Sequence, residues 1–128
     1  MSRCCSCEHH EGSSVGTSTH EGAVVCTFRF SLPDPREEAL EKMACFIRRL
    51  GESIAGSGGF IGHVKATASV SGECIRYSLT GGKLDILPAQ GTVTEAEGVA
   101  IVFRMEEIQL KKLVITGICE TIHSDYVF

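Results

Sequence analysis

The sequence contains no tryptophan, and aromatic residues make up only 6% of it. Its core must therefore be built from Val, Ile, Leu, Ala and six Phe. No apolar run approaches the ~18 residues of a membrane-spanning helix, so no membrane partner is expected. Residues 1–10 hold no apolar stretch of the kind that directs secretion, and the cytoplasm is the expected location. An excess of positive charge is also missing: 12 Lys and Arg stand against 16 Asp and Glu, a formal net charge of −4. That balance argues against nucleic acid as a partner, because such proteins draw their affinity from neutralising phosphates. It leaves room for a local basic face.

A phosphate loop is absent in the functional sense. Gly56-Ser57-Gly58-Gly59 follows a helical pattern and leads into a strand pattern. Anion-binding amides need the opposite order, at a helix N-terminus.

Cysteine, by contrast, is plentiful at seven residues. An odd count without a secretory leader points to reduced thiols. A chain of 128 residues suits one domain and buries enough surface to fold without disulfide or metal.

Residues 1–22 differ from the rest. They are rich in Ser, Thr, Gly, Glu, His and Cys, with Met1 and Val15 as their only large apolar residues. Such a stretch cannot offset its ordering entropy by burial and reads as a flexible arm. Residues 23–128 read as a single α+β domain.

Within that domain, Val24, Cys26, Phe28, Phe30 and Leu32 alternate with Val25, Thr27, Arg29 and Ser31, the period of a strand. Asp34-Pro35-Arg36-Glu37 then opens a helix over residues 34–55, with Asp34 as cap and Glu37 completing a capping box. Leu40, Met43, Ala44, Ile47, Leu50 and Ile54 form its apolar stripe. Residues 60–70 and 74–79 read as a hairpin turning at Ser71-Gly72. Lys83 to Leu87 reads as a short strand, and Val99, Ile101 and Phe103 mark another.

Residues 106–122 fit either a helix or a strand. A helix suits the early Glu and later Lys. The result is a two-layer sandwich with helices on one face of a mostly antiparallel sheet, in ferredoxin-like order. A strand there would instead leave one helix on a larger sheet, nearer a cystatin-like or hot-dog arrangement.

Two candidate sites follow. The first is a metal site for zinc or copper(I) in the arm, from Cys4, Cys5, Cys7, His9, His10 and His20. Cys4-x2-Cys7 with His20 and Cys26 superficially resembles a CCHC-type zinc finger. The interval between its ligand pairs holds only Val15 as a core residue, and Cys26 lies on the apolar face of its strand, so no finger is expected.

The second is the polar side of the 60–79 hairpin. With Ser71-Gly72 as turn, Lys65 faces Ser78, Thr67 faces Arg76, Ser69 faces Cys74, and His63 falls opposite Thr80. His63, Lys65 and Arg76, joined by Arg29, make a cationic face for a small anion, an acidic partner or a second copy of the chain. Phe28 and Phe30 lie on the opposite face, which argues against base stacking there.

Three functional readings result. The first is a non-enzymatic binding protein, metal-associated through its arm, with the cationic face for partner docking or self-association. The second is a small enzyme with His63 as acid or base and Cys74 as nucleophile. The third is a structural domain with no small-molecule site.

Overall fold

The computed structural model describes residues 13–32, 34–90 and 95–123. In chain order the elements are β1 (Ser14–His20), β2 (Ala23–Phe30), α1 (Arg36–Gly56), β3 (Phe60–Val70), β4 (Glu73–Thr80), β5 (Lys83–Pro88), β6 (Ala96–Phe103) and α2 (Glu107–Gly117). A π-helical turn, Ile118–Ile122, prolongs α2. The strands form one six-stranded sheet in the order β1-β2-β6-β3-β4-β5. Every neighbouring pair is antiparallel.

The domain is thus α+β with an antiparallel sheet, but its strand order is not ferredoxin-like. β6, the last strand in sequence, slots between β2 and β3. Its composition explains the placement. Residues 98–103 read Gly-Val-Ala-Ile-Val-Phe, apolar at both parities, a run better kept away from a sheet edge, where it would offer a sticky template to other chains. The unit β2-α1-β3 is therefore a split β-α-β.

Three two-residue turns connect the hairpins. Glu21-Gly22, Ser71-Gly72 and Gly81-Gly82 all have positive φ at both positions. That is the type I′ geometry whose twist matches that of the flanking strands. The Ser71-Gly72 turn produces the expected register, with Lys65 opposite Ser78, Thr67 opposite Arg76 and Ser69 opposite Cys74.

The Glu21-Gly22 turn produces a strand where an arm was expected. Ser14–His20 is β1, paired with β2 along its whole length. Backbone ladder bonds and a twisted turn hold it rather than burial, and only Val15 packs against the core. Within the stretch expected as an arm, Ser14–His20 is therefore strand. Residues 1–12 lie outside the described residues.

Helix α1 begins at Arg36 and carries no side-chain cap. Asp34, expected as that cap, instead accepts an ion pair from Lys42 Nζ at 3.0 Å, with both side chains largely buried. Lys42 Nζ also donates to the Ile122 carbonyl at 3.3 Å. The ammonium thus ties the entry to α1 to the end of the π turn, and a buried cation claims a carboxylate more strongly than an exposed amide does. The helix ends where Gly58 N–H donates to Ala55 O and Gly59 N–H to Ile54 O, the double bond of a Schellman stop.

Of the ambiguous stretch 106–122, Glu106 is an extended N-cap and residues 107–122 are helical. The Gln109 side chain accepts from the Glu106 backbone N–H at 3.4 Å, supporting the first turn of α2. In the π turn, His123 N–H donates to Ile118 O at 2.9 Å, and the Thr121 hydroxyl donates to Gly117 O.

Both helices cover the same face of the sheet: α1 lies on β3 and β4, and α2 on β1 and β2. Between the layers Phe46 of α1 meets Phe28 and Phe30 of β2 edge-on, at 5.4 and 5.5 Å between ring centroids. Val64, Ala66, Ala68, Val70, Ile75, Tyr77 and Leu79 are buried beneath α1, as the hairpin pattern predicted. No helix among the described residues is long and apolar enough to cross a membrane.

Candidate functional site

The side chains that point away from the helices come from alternate positions of β2, β6, β3 and β4. The pairing lines them up in rows across the sheet. One row runs Arg29, Glu97, Thr67, Arg76, and the next runs Thr27, Val99, Lys65, Ser78. A third runs Val25, Ile101, His63. His63, Lys65, Arg76 and Arg29 therefore share one face. Lys65, Arg76 and Arg29 are exposed and His63 is half-buried.

Arg29, Lys65, Arg76, Thr67 and Glu97 line a shallow groove of about 450 Å³ with Val99. Arg29 Nε lies 3.4 Å from Glu95 Oε1. Lys65 and Arg76 make no ion pair among the described residues. The groove therefore presents two cations uncommitted to protein carboxylates and a third that shares its charge.

The face is less uniformly polar than the hairpin alone implied. Val25, Val99, Ile101 and Phe103 occupy it too, and Phe60 joins Phe103 at one end, with ring centroids 6.3 Å apart. The register of β3 on β6 shifts between Ile61 and His63. That bulge at Gly62 puts Ile61 under α1 and Phe60 on the open side. The doubly apolar run in β6 was the available signal for these residues. It suits a strand shielded from the sheet's edges, and its open-side parity is what places Val99, Ile101 and Phe103 on this face.

The proposed dyad does not assemble. Cys74 pairs with Ser69, six residues along β3 from His63. At about 3.3 Å per residue the two are roughly 20 Å apart, far beyond hydrogen-bond reach.

The expected metal ligands fall into two groups. Cys4, Cys5, Cys7, His9 and His10 lie outside the described residues. His20 ends β1 on the open face, exposed, with its Nε2 3.0 Å from Glu21 Oε2. Cys26, one of the residues in the finger-like array, is fully buried on the helix-covered face, so the two cannot share an ion. Among the described residues no group of three or more His, Cys, Asp or Glu could hold a metal.

The free cysteines Cys26, Cys45 and Cys74 behave as core or surface groups. Burial pushes the Cys26 thiol up from 9.0 to about 12, an effect that the charge of Lys111 only partly offsets. Cys45 and Cys74 are free and half-buried. Cys119 is buried and disulfide-bonded. His123, at the end of the π turn, is buried against the protein.

No protein-family model matches the chain, and no curated protein matches it. Among solved structures the fold is similar to part of the zinc(II)-bound YjiA GTPase from E. coli, with a TM-score of 0.50 and 10% identity. The likeness covers 78% of this chain and 30% of that one, so this chain spans about a third of the GTPase's length. At that identity it is a likeness of fold alone.

Proposed function

We propose that this chain is a small non-enzymatic binding protein that takes an anionic partner on the open face of its sheet. The observation that carries the reading is the groove in which Arg29, Lys65 and Arg76 converge, two of them without a carboxylate partner among the described residues. Side chains drawn from β2, β3 and β4 supply these charges, so the sheet spaces them rigidly. Strand spacing keeps these cations near one another, and their field steers anions to the groove.

The test is a charge reversal on exposed positions. A fluorescein-labelled hexaglutamate peptide is titrated against the protein and against Lys65→Glu/Arg76→Glu. The reading expects measurable binding at low salt that weakens as salt rises and drops at least tenfold in the double variant. Binding that ignores both salt and the two substitutions sinks it. Self-association through the same face is read from sedimentation of the same two proteins.

The metal association proposed for Cys4, Cys5, Cys7, His9, His10 and His20 rests on residue chemistry, since thiolate and imidazole are the ligands of zinc and copper(I). Native mass spectrometry of protein purified without an affinity tag is expected to show one ion that a chelator removes. Absence of that ion, with no change on deleting residues 1–12, ends the metal reading and leaves the sheet-face reading untouched.

A further inference from the structure

We propose that the anion taken by this face is a short single-stranded nucleic acid, its bases stacking on Phe60 and Phe103 and its phosphates meeting Lys65 and Arg76. The proposal rests on the anionic-partner reading above and names the partner's class. A purely acidic peptide would need the cations alone. The face offers more than cations: two neighbouring aromatic rings on a side of the sheet that no described helix covers.

Phe60 is 62% exposed and Phe103 36% exposed. Their ring planes are inclined at 51°. Both lie on the solvent side, whereas Phe28 and Phe30, whose placement argued against base stacking, are sealed beneath the helices. The bulge serves this arrangement. A Cβ on Gly62 would stand 3.2 Å from the Phe103 ring and 3.0 Å from the Ile101 carbonyl, so glycine there leaves the ring its place.

From the rings, the rows climb the sheet in steps of roughly 7 Å, two residues each. His63 and Ile101 come first, an imidazole and an apolar floor. Lys65 and Val99 come next, roughly 13 Å from the rings. Arg76, Thr67, Glu97 and Arg29 close the path at roughly 20 Å. An open sheet that stacks bases at one end and meets phosphates at the other is the common physical solution for unpaired strands. The length suits about four nucleotides, the low end of known site sizes. Glu97 on the path, and Glu95 beside Arg29 at its end, oppose phosphate.

The experiment compares fluorescein-labelled 12-mer oligouridylate with the hexaglutamate peptide by anisotropy. The proposal expects the oligonucleotide to bind more tightly, with a slope of about −1.4 in log K against log salt for two phosphates. Phe60→Ala should weaken it about tenfold, while Phe60→Trp retains it. Phe60 is largely exposed, so both variants should fold, which circular dichroism checks. Phe103→Ala should act in the same sense, and Glu97→Gln should tighten binding. If hexaglutamate binds as well as the oligonucleotide and Phe60→Ala changes neither, nucleic acid is excluded while the anionic reading stands. If neither probe binds, both fall together.

Discussion

Gly98→Ala is expected to destabilise the protein by about 2 kcal/mol, an unusual outcome for the smallest possible addition to a strand. Gly98 lies in β6 between Phe28 on β2 and Ala66 on β3. A Cβ there would meet the Lys65 carbonyl oxygen, the Phe28 ring at 2.7 Å and Ala66 Cβ at 2.8 Å. Two of these obstacles are main chain or Cβ atoms of the central sheet, which cannot rotate away. The third is the ring that Phe46 packs against edge-on, so moving it disturbs the contact between layers. Overpacking of this kind costs about 1–3 kcal/mol. The backbone entropy gained on replacing glycine returns only about 0.4–1 kcal/mol. Urea denaturation measures the loss as a lower midpoint at unchanged slope. Truncating the ring relieves part of the conflict, so Phe28→Leu with Gly98→Ala should cost less than the two single changes added together. A loss under about 0.5 kcal/mol for Gly98→Ala would show that β6 can move between its neighbours.

Alkaline pH is expected to remove about 4 kcal/mol of stability by pH 11, through two buried acids that stay neutral in the fold. Burial holds the Cys26 thiol up at about 12 against 9.0, and Lys111 pulls weakly the other way. Burial also raises the Tyr77 phenol from 10.0 to about 12, with Arg36 opposing. Below pH 9 both groups are protonated folded and unfolded, and neither contributes a pH dependence. Above pH 9 the unfolded chain releases the Cys26 proton while the fold keeps it, so stability falls with rising pH. Tyr77 adds its own decline above pH 10, and both level off near pH 12. The sign is that of groups whose folded value is raised, and each contributes a slope of about 1.4 kcal/mol per pH unit within its window. Denaturant titrations at half-unit steps follow the curve. Cys26→Ala should flatten the part that begins near pH 9, and Tyr77→Phe the part that begins near pH 10. Tyr77→Phe carries a second expectation at neutral pH. The Tyr77 hydroxyl is buried without a hydrogen-bond partner among the described residues, so its loss should leave stability unchanged or slightly higher. A flat profile between pH 9 and 12 would mean that water reaches both groups.

How much of this could be read from the chain depends on whether the cause is local. The alternation Val24, Cys26, Phe28, Phe30 needed only a two-residue period, and those side chains are the buried face of β2. The stripe from Met43 to Ile54 needed only a helical period and a glycine stop. Ser71-Gly72 is a turn because its backbone is left-handed at both positions, and one turn sets every pair behind it. That is why Lys65 and Arg76 could be assigned to one face without coordinates.

The misses share a non-local cause. Ser14–His20 buries too little to announce itself, and it becomes a strand because β2 already offers an edge. Asp34 has cap chemistry, yet Lys42 reaches it from two turns along the helix and takes it. His63 and Cys74 looked like neighbours because they belong to one hairpin, but that hairpin is long enough to hold them far apart.

Period, turn chemistry and charge placement are short-range properties, and the sequence alone determined them: one long amphipathic helix, a hairpin in known register and a cationic side to that hairpin. Which strand lies beside which was decided only by the tertiary structure. Insertion of β6 between β2 and β3 follows from competition among all apolar strand faces for a shared interior, and no window of residues contains that competition. The same insertion brings Arg29 into line with Arg76 and sets Phe103 beside Phe60. The face proposed to bind is therefore written in the strand order, although each residue on it is ordinary in its own segment.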